Sequence, residues 1–219
     1  MNINLITEDA QTISAYCAGD ENSKRGLVVL QEIFGVNSHI RNVCDRFAQE
    51  GYYVIAPALF DRAEKNVELG YTGDDVQAGL ALRSKVALED TLKDIDAAIK
   101  HLDDRSVAIV GYCWGGALAW QAAAKLGGLS AASCWYGGGI AQAKDLTARI
   151  PVQMHFGDQD GSIPMADVEA IQAAQPGVEL HVYQGAGHGF GCDQRGSFNE
   201  AAYKLAQERT LRFFDEHLA

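Results

Sequence analysis

Short apolar runs and longer amphipathic stretches take turns along this chain. Leu27-Val28-Val29-Leu30, inside "RGLVVLQE", is an unbroken apolar run, as expected of a strand covered on both faces. "ISAYCAG" before it and "YYVIAP", "SVAIVGY", "SAASCWYGG", "IPVQMHFG" and "VELHVYQG" after it read as further strands. Between them the period changes. In "SHIRNVCDRFAQEG", Ile40, Val43 and Phe47 share one side of a helix that Gly51 stops. From Ser84 to Leu102 the apolar positions Leu88, Leu92, Ile95, Ile99 and Leu102 recur at helical spacing. Helices are also predicted over Trp114–Leu126, ended by Gly127-Gly128, over Met165–Ala174 and over Phe198–Leu218.

Strands alternating with helices predict an α/β fold, a mostly parallel central sheet with helices on both faces. The two earliest runs, "ISAYCAG" and "RGLVVLQE", are candidates for an antiparallel edge. No repeat or Pro/Ser-rich linker divides the 219 residues, so one domain over 1–219 is expected. The least regular span, Pro57 to Gly73, is a candidate loop or cap over a site.

Composition narrows the function classes. A net charge of −11 makes nucleic acid and anionic membranes poor partners. No stretch has the length and apolarity of a membrane helix, and "MNINLITEDAQ" lacks the parts of a signal peptide. The five cysteines are scattered without metal-ligand spacing, which points to free thiols in a reducing cytoplasm and to no metal or cofactor. Size and acidity allow a monomer and leave the oligomeric state open.

In open parallel sheets, ligands gather beyond the carboxyl ends of the strands. Reading just past each strand end gives Glu32, Cys113, Asp160 and His188. A thiol, a carboxylate and an imidazole in that chain order are a nucleophile, an orienting acid and a base. Cysteine is often inert and buried, but Cys113 sits in "GYCWGG", flanked by Gly111 and Gly115, where a strand turns sharply into a helix. That helix aims its N-terminus at the sulfur and favours thiolate. His188 lies on a glycine loop, "GAGHGF", whereas His155 and His181 look structural. Asp160 precedes Ile163-Pro164 at the spacing of an acid loop; its rival Asp158 is too close to the strand. Glu32, between apolar residues in "LQEIFG", is expected partly buried near the site.

"QEIFGVN", "APALFDRA", "GYCWGGALA", "FGDQDGSIP" and "GAGHGF" together resemble the dienelactone hydrolase (carboxymethylenebutenolidase) family of the α/β-hydrolase superfamily. The likeness runs from about Leu27 to the C-terminus. It implies a cysteine-dependent hydrolase of small lactones or carboxylic esters. The resemblance implies that Cys113 would attack the carbonyl, with His188 as base and then acid, oriented by Asp160. The backbone N–H groups of Ile33 and Trp114 would hold the oxyanion, and Glu32 would regulate the resting thiol by contact with it. Three positions depart from the family pattern: where it places substrate-gripping arginines, this chain has Val76 and Cys192, and Leu80 stands in place of an aromatic residue. Phe34, Arg62, Arg83 and Phe190 are the candidate pocket residues, with Arg195 a further possible cation. The competing readings are a thiol redox sensor, with Cys134 or Cys192 resolving, and a catalytically silent binding protein on the same fold.

Overall fold

The computed structural model describes residues 1–102 and 104–218. Its strands are β1 (Asn2–Ile6), β2 (Thr12–Ala18), β3 (Arg25–Leu30), β4 (Tyr53–Pro57), β5 (Ser106–Tyr112), β6 (Ala131–Trp135), β7 (Val152–Gly157) and β8 (Glu179–Tyr183). The helices are α1 (Ser38–Gln49), α2 (Gly73–Arg83), α3 (Leu88–His101), α4 (Trp114–Lys125), α5 (Met165–Ala174) and α6 (Glu200–His217). The strands form one eight-stranded sheet in the order β1-β2-β4-β3-β5-β6-β7-β8. β1, β2 and β4 pair antiparallel, and every pair from β4 onward is parallel. Successive side chains of a strand point to opposite faces, and Leu27 to Leu30 of β3 are all fully buried. Both faces of the sheet centre are therefore covered, as expected of an α/β-hydrolase fold.

Two expectations need correcting, and one helix is an addition. The antiparallel edge exists, but its strands are β1 and β2, while β3 lies inside the parallel sheet between β4 and β5. Only Leu5 of β1 is buried, so that edge strand carries too little apolar pattern to be read in advance. The helix expected from Ser84 begins at Leu88. Ser84 instead caps the C-terminus of α2, its Oγ donating to the carbonyl of Ala81. α2 itself was unforeseen: only Gly79 and Leu82 are buried along it, so it shows no apolar stripe. Its start is nevertheless well specified, by a capping box between Thr72 and Asp75.

The Pro57–Gly73 span lies against the β3 strand end. The amide of Leu69 donates to the carbonyl of Phe34, Gly35 bridges to Glu68, and Phe60 stacks on Trp114 with ring centroids 5.2 Å apart. Arg62 in the same span points elsewhere. Its guanidinium is bidentate to the fully buried Asp94 carboxylate of α3 and also pairs with Asp9, tying the β1–β2 hairpin to the body.

Candidate active site

Cys113 links β5 to α4 in a conformation that L-residues seldom adopt, φ 54° and ψ −116°. Such backbone costs on the order of 1–3 kcal/mol and persists only where its surroundings enforce it. Here its N–H donates to the carbonyl of Trp135, and its own carbonyl accepts from Gly116 and Ala117. Close packing explains the glycines. A Cβ on Gly111 would lie 2.0 Å from the Gly115 carbonyl oxygen, one on Gly115 would lie 2.5 Å from that of Leu30, and one on Gly116 would lie 2.6 Å from that of Trp135. The turn thus presses the start of α4 onto the strand ends, leaving the half-buried thiol at the helix N-terminus.

His188 follows β8 on a loop where Gly189 has φ +75°. Its Nε2 stands 3.1 Å from Cys113 Sγ, and its Nδ1 stands 2.8 Å from Asp160 Oδ2. The buried Asp160 uses its other oxygen to accept from the amides of Ser162 (2.8 Å) and Ile163 (3.1 Å). Asp158 is engaged differently, accepting from the amide of Gly185. Burial works against a charged His188 ring, but the hydrogen bonds to Asp160 and Cys113 outweigh it and raise its pKa to about 10. His155 and His181 lie outside this arrangement: His155 is buried in a polar cluster with Tyr183, Gln153 and Thr210, and His181 pairs with Glu179.

A cavity of about 430 Å³ opens over the thiol. Ile33, Phe34, Val76, Leu80, Arg83 and Arg195 are among its lining residues, so Phe34 and Arg83 stand where they were expected. Arg62 and Phe190 do not line it. Arg62 is bound to Asp9 and Asp94, and Phe190 is fully buried behind the site against Trp135 and Tyr136. Val76 and Leu80 line the cavity, whereas Cys192 is wholly buried beneath it. The turn at Cys192, whose carbonyl accepts from the amide of Arg195, carries Arg195 to the cavity instead.

Glu32 is fully buried, but its partners are not the expected thiol. Oε2 accepts from the Tyr71 hydroxyl and Oε1 pairs with Arg195, each at 3.2 Å. A guanidinium and a phenol are stronger partners for a carboxylate than a thiol. Tyr71 had no distinguishing signal in the sequence, because it sits in the irregular span before α2. Glu32, His39 and Cys192 bring a carboxylate oxygen, an imidazole nitrogen and a thiol sulfur within 4.8 Å of one another, the sole such metal-capable group among the described residues. Burial pushes the His39 pKa down and the Cys192 thiol up to about 11, while Arg195 already balances the Glu32 charge. The cluster is thus electrically complete with His39 and Cys192 neutral. No helix among the described residues is long and apolar enough to cross a membrane.

The sequence profile of the Dienelactone hydrolase family matches residues 13–218. A "Putative carboxymethylenebutenolidase" of Synechocystis sp. is 37% identical over 212 residues, covering 88% of this chain and 86% of that protein. The "Carboxymethylenebutenolidase" of Pseudomonas putida is 30% identical over 224 residues, covering 96% and 94%. Among solved structures, a "Putative Dienelactone Hydrolase" from Klebsiella pneumoniae superposes with a TM-score of 0.85 at 32% identity, over 99% of each chain.

Proposed function

Since this chain belongs to the dienelactone hydrolase family and is a hydrolase of ester or lactone bonds, we propose that it works through a Cys113–His188–Asp160 triad and an acyl-enzyme. The observation that carries this reading is the relay of 3.1 Å from Sγ to Nε2 and 2.8 Å from Nδ1 to Asp160, at the floor of the cavity. The Cys113 thiolate attacks the carbonyl carbon, and the carbonyl π electrons move onto oxygen. Trp114 is the first residue of α4, so its N–H has no acceptor within the helix. It and the N–H of Ile33 receive the oxyanion; a single such donor is worth on the order of 10²-fold or more in rate. Collapse of the intermediate breaks the C–O bond, and the leaving oxygen takes the proton from His188 Nε2. Water then loses a proton to the neutral His188 and attacks the thioester. Release of the carboxylic acid product restores thiolate and imidazolium. Small lactones and carboxylic esters are the substrate class, and no cofactor enters these steps.

Glu32 regulates the thiol in this reading through Arg195, which it pairs with and which lines the cavity. The test compares hydrolysis of lactones and esters, with and without a carboxylate, by wild type and Cys113→Ala. Turnover should vanish in the variant, and iodoacetamide should label Cys113 before the four buried cysteines. Undiminished turnover by Cys113→Ala would overturn the reading.

A further inference from the structure

Three side chains of metal-binding type meet beneath the cavity. Glu32 follows β3, His39 lies in the first turn of α1 and Cys192 follows β8, and all three are wholly buried. A carboxylate oxygen, an imidazole nitrogen and the sulfur lie within 4.8 Å of one another. Drawn from three separate elements, they leave no ligand spacing in the sequence. Two details set them apart from ordinary polar groups of a core. His39 Nδ1 stands 3.1 Å from Asp193 Oδ1. The carboxylate accepts, so Nδ1 carries the proton of the neutral ring and Nε2 keeps a bare lone pair. Nε2 is buried and has no hydrogen-bond partner among the described residues, a rare state for a buried polar atom. The ligand-type groups are also held from behind. Asp193 orients His39, and the Tyr71 hydroxyl, which accepts from Asn37 Nδ2, donates to Glu32. A metal-bound imidazole commonly gives its other N–H to a carboxylate in this way.

We propose that Glu32, His39 and Cys192 bind a divalent cation of the zinc class. Carboxylate, imidazole and thiolate are the ligand types that Zn²⁺ takes, with bonds of about 2.0–2.3 Å. Around such an ion the ligand atoms stand roughly 3.3–3.8 Å apart, so the cluster closes by on the order of 1 Å. Mg²⁺ and Ca²⁺ take oxygen ligands and are disfavoured by the nitrogen and sulfur. Binding forms a metal–sulfur bond as the Cys192 S–H bond breaks, and the proton passes to solvent. The thiolate and the Glu32 carboxylate then match the two positive charges. Arg195, whose side chain is 20% exposed, turns its own charge toward the cavity it lines. The way in is the turn at Asp193 and Gln194. Both residues are exposed, and they are tied to α1 through Arg46 and Ser38. The site goes beyond the thioester reading and does not depend on it.

The experiment uses the full chain, as wild type and as Cys113→Ala, which removes the thiol that a metal reaches from the cavity. Each protein is titrated with Zn²⁺ against a chromogenic chelator, and with Co²⁺ while the thiolate-to-metal absorption is recorded. Cys113→Ala should take up one Zn²⁺ and show the Co²⁺–thiolate band. Adding Cys192→Ser should abolish the band, and adding either Cys192→Ser or His39→Gln should weaken Zn²⁺ binding by about a hundredfold or more. Zn²⁺ should raise the Tm of Cys113→Ala and leave that of Cys113→Ala with Cys192→Ser unmoved. Asp193→Asn keeps an acceptor for His39 Nδ1 but loses the charge, and should weaken binding roughly tenfold or more; it decides the matter where a ligand variant does not fold. No stoichiometric uptake by Cys113→Ala overturns the site, and so does uptake indifferent to Cys192→Ser, His39→Gln and Asp193→Asn. Uptake by wild type alone gives the metal to Cys113 and His188 and overturns it as well. Ester turnover that persists in Cys113→Ala removes the thioester reading and leaves the metal site untouched.

Discussion

Replacing Asp160 by Asn changes one atom and reverses one hydrogen bond. Asp160 Oδ1 accepts from the amides of Ser162 and Ile163, both fixed in the backbone. In the Asn variant the carbonyl oxygen must occupy that position, because the amide nitrogen would face two donors. The Asn N–H₂ then points at His188 Nδ1, which becomes an acceptor. The ring must carry its proton on Nε2, facing Cys113 Sγ at 3.1 Å, and can no longer accept one there. The hydrogen bonds to Asp160 and Cys113 hold the His188 pKa at about 10, well above its ordinary value, against the cost of burial. The Asn variant loses the Asp160 bond and locks the wrong tautomer, and the total loss in kcat should be on the order of 10³–10⁴. The assay is p-nitrophenyl acetate hydrolysis at pH 7, paired with the rate of iodoacetamide inactivation between pH 6 and 9. Wild type should be alkylated faster than Asp160→Asn, because the ring of the variant already carries its proton on Nε2 and cannot take up the thiol's proton there. A group whose pKa is raised on folding stabilises the fold below its unfolded value and ceases to as pH passes its folded value. The stability gap between wild type and variant should therefore narrow as pH rises through about 10. If Asp160→Asn kept more than a tenth of wild-type kcat/KM with an unchanged alkylation profile, the argument would fail.

Two further substitutions separate stability from activity. Arg62→Ala strands the fully buried Asp94 carboxylate and should cost about 3–5 kcal/mol in urea denaturation. KM of the folded fraction should be unchanged, because Arg62 lies away from the cavity; an altered KM at unchanged stability would contradict that placement. Gly79→Ala should do the opposite in emphasis. Its Cβ would sit 2.2 Å from the carbonyl oxygen of Ile33, so either α2 or the Ile33 loop must move. Overpacking of this kind costs about 1–3 kcal/mol. A shifted Ile33 N–H should also lower kcat at least tenfold, and steady-state kinetics showing wild-type kcat would refute the coupling.

What could be read in advance depended on how local each constraint is. The elbow at Cys113 was legible because its geometry excludes side chains at Gly111, Gly115 and Gly116, so the constraint is written in consecutive residues. Asp160 and His188 were legible because each follows a strand of the parallel sheet, and strand ends converge. The pocket wall was less legible. Phe34 follows β3 directly and was found, but α2 reaches the cavity through Val76, Leu80 and Arg83 without an apolar stripe to announce it. Arg62 looked available because its partners Asp9 and Asp94 are distant in the sequence, 53 and 32 residues away. Phe190 follows a catalytic-type loop, yet the stack of Trp135, Tyr136 and Tyr183 takes it into the core.

The same distinction bears on Cys192. Aligned by sequence, it stands where the resembled family has a substrate-gripping arginine, which suggests a wall without a cation there. The folded loop reverses that conclusion. Cys192 turns inward, and the chain brings Arg195 to the cavity with its guanidinium on Glu32 and over the rings of Phe34 and Tyr71, at 5.6 and 5.7 Å. A cation therefore does stand beside the thiol, but its charge is matched by a buried carboxylate. An anionic substrate group arriving there must compete with Glu32 for Arg195, whereas an uncharged ester meets no such competition. That asymmetry favours esters without a carboxylate beside Arg195. The carboxylate-bearing and carboxylate-free substrates in the hydrolysis screen measure it directly: a clear preference for the charged member of each pair would show that Glu32 yields Arg195 readily.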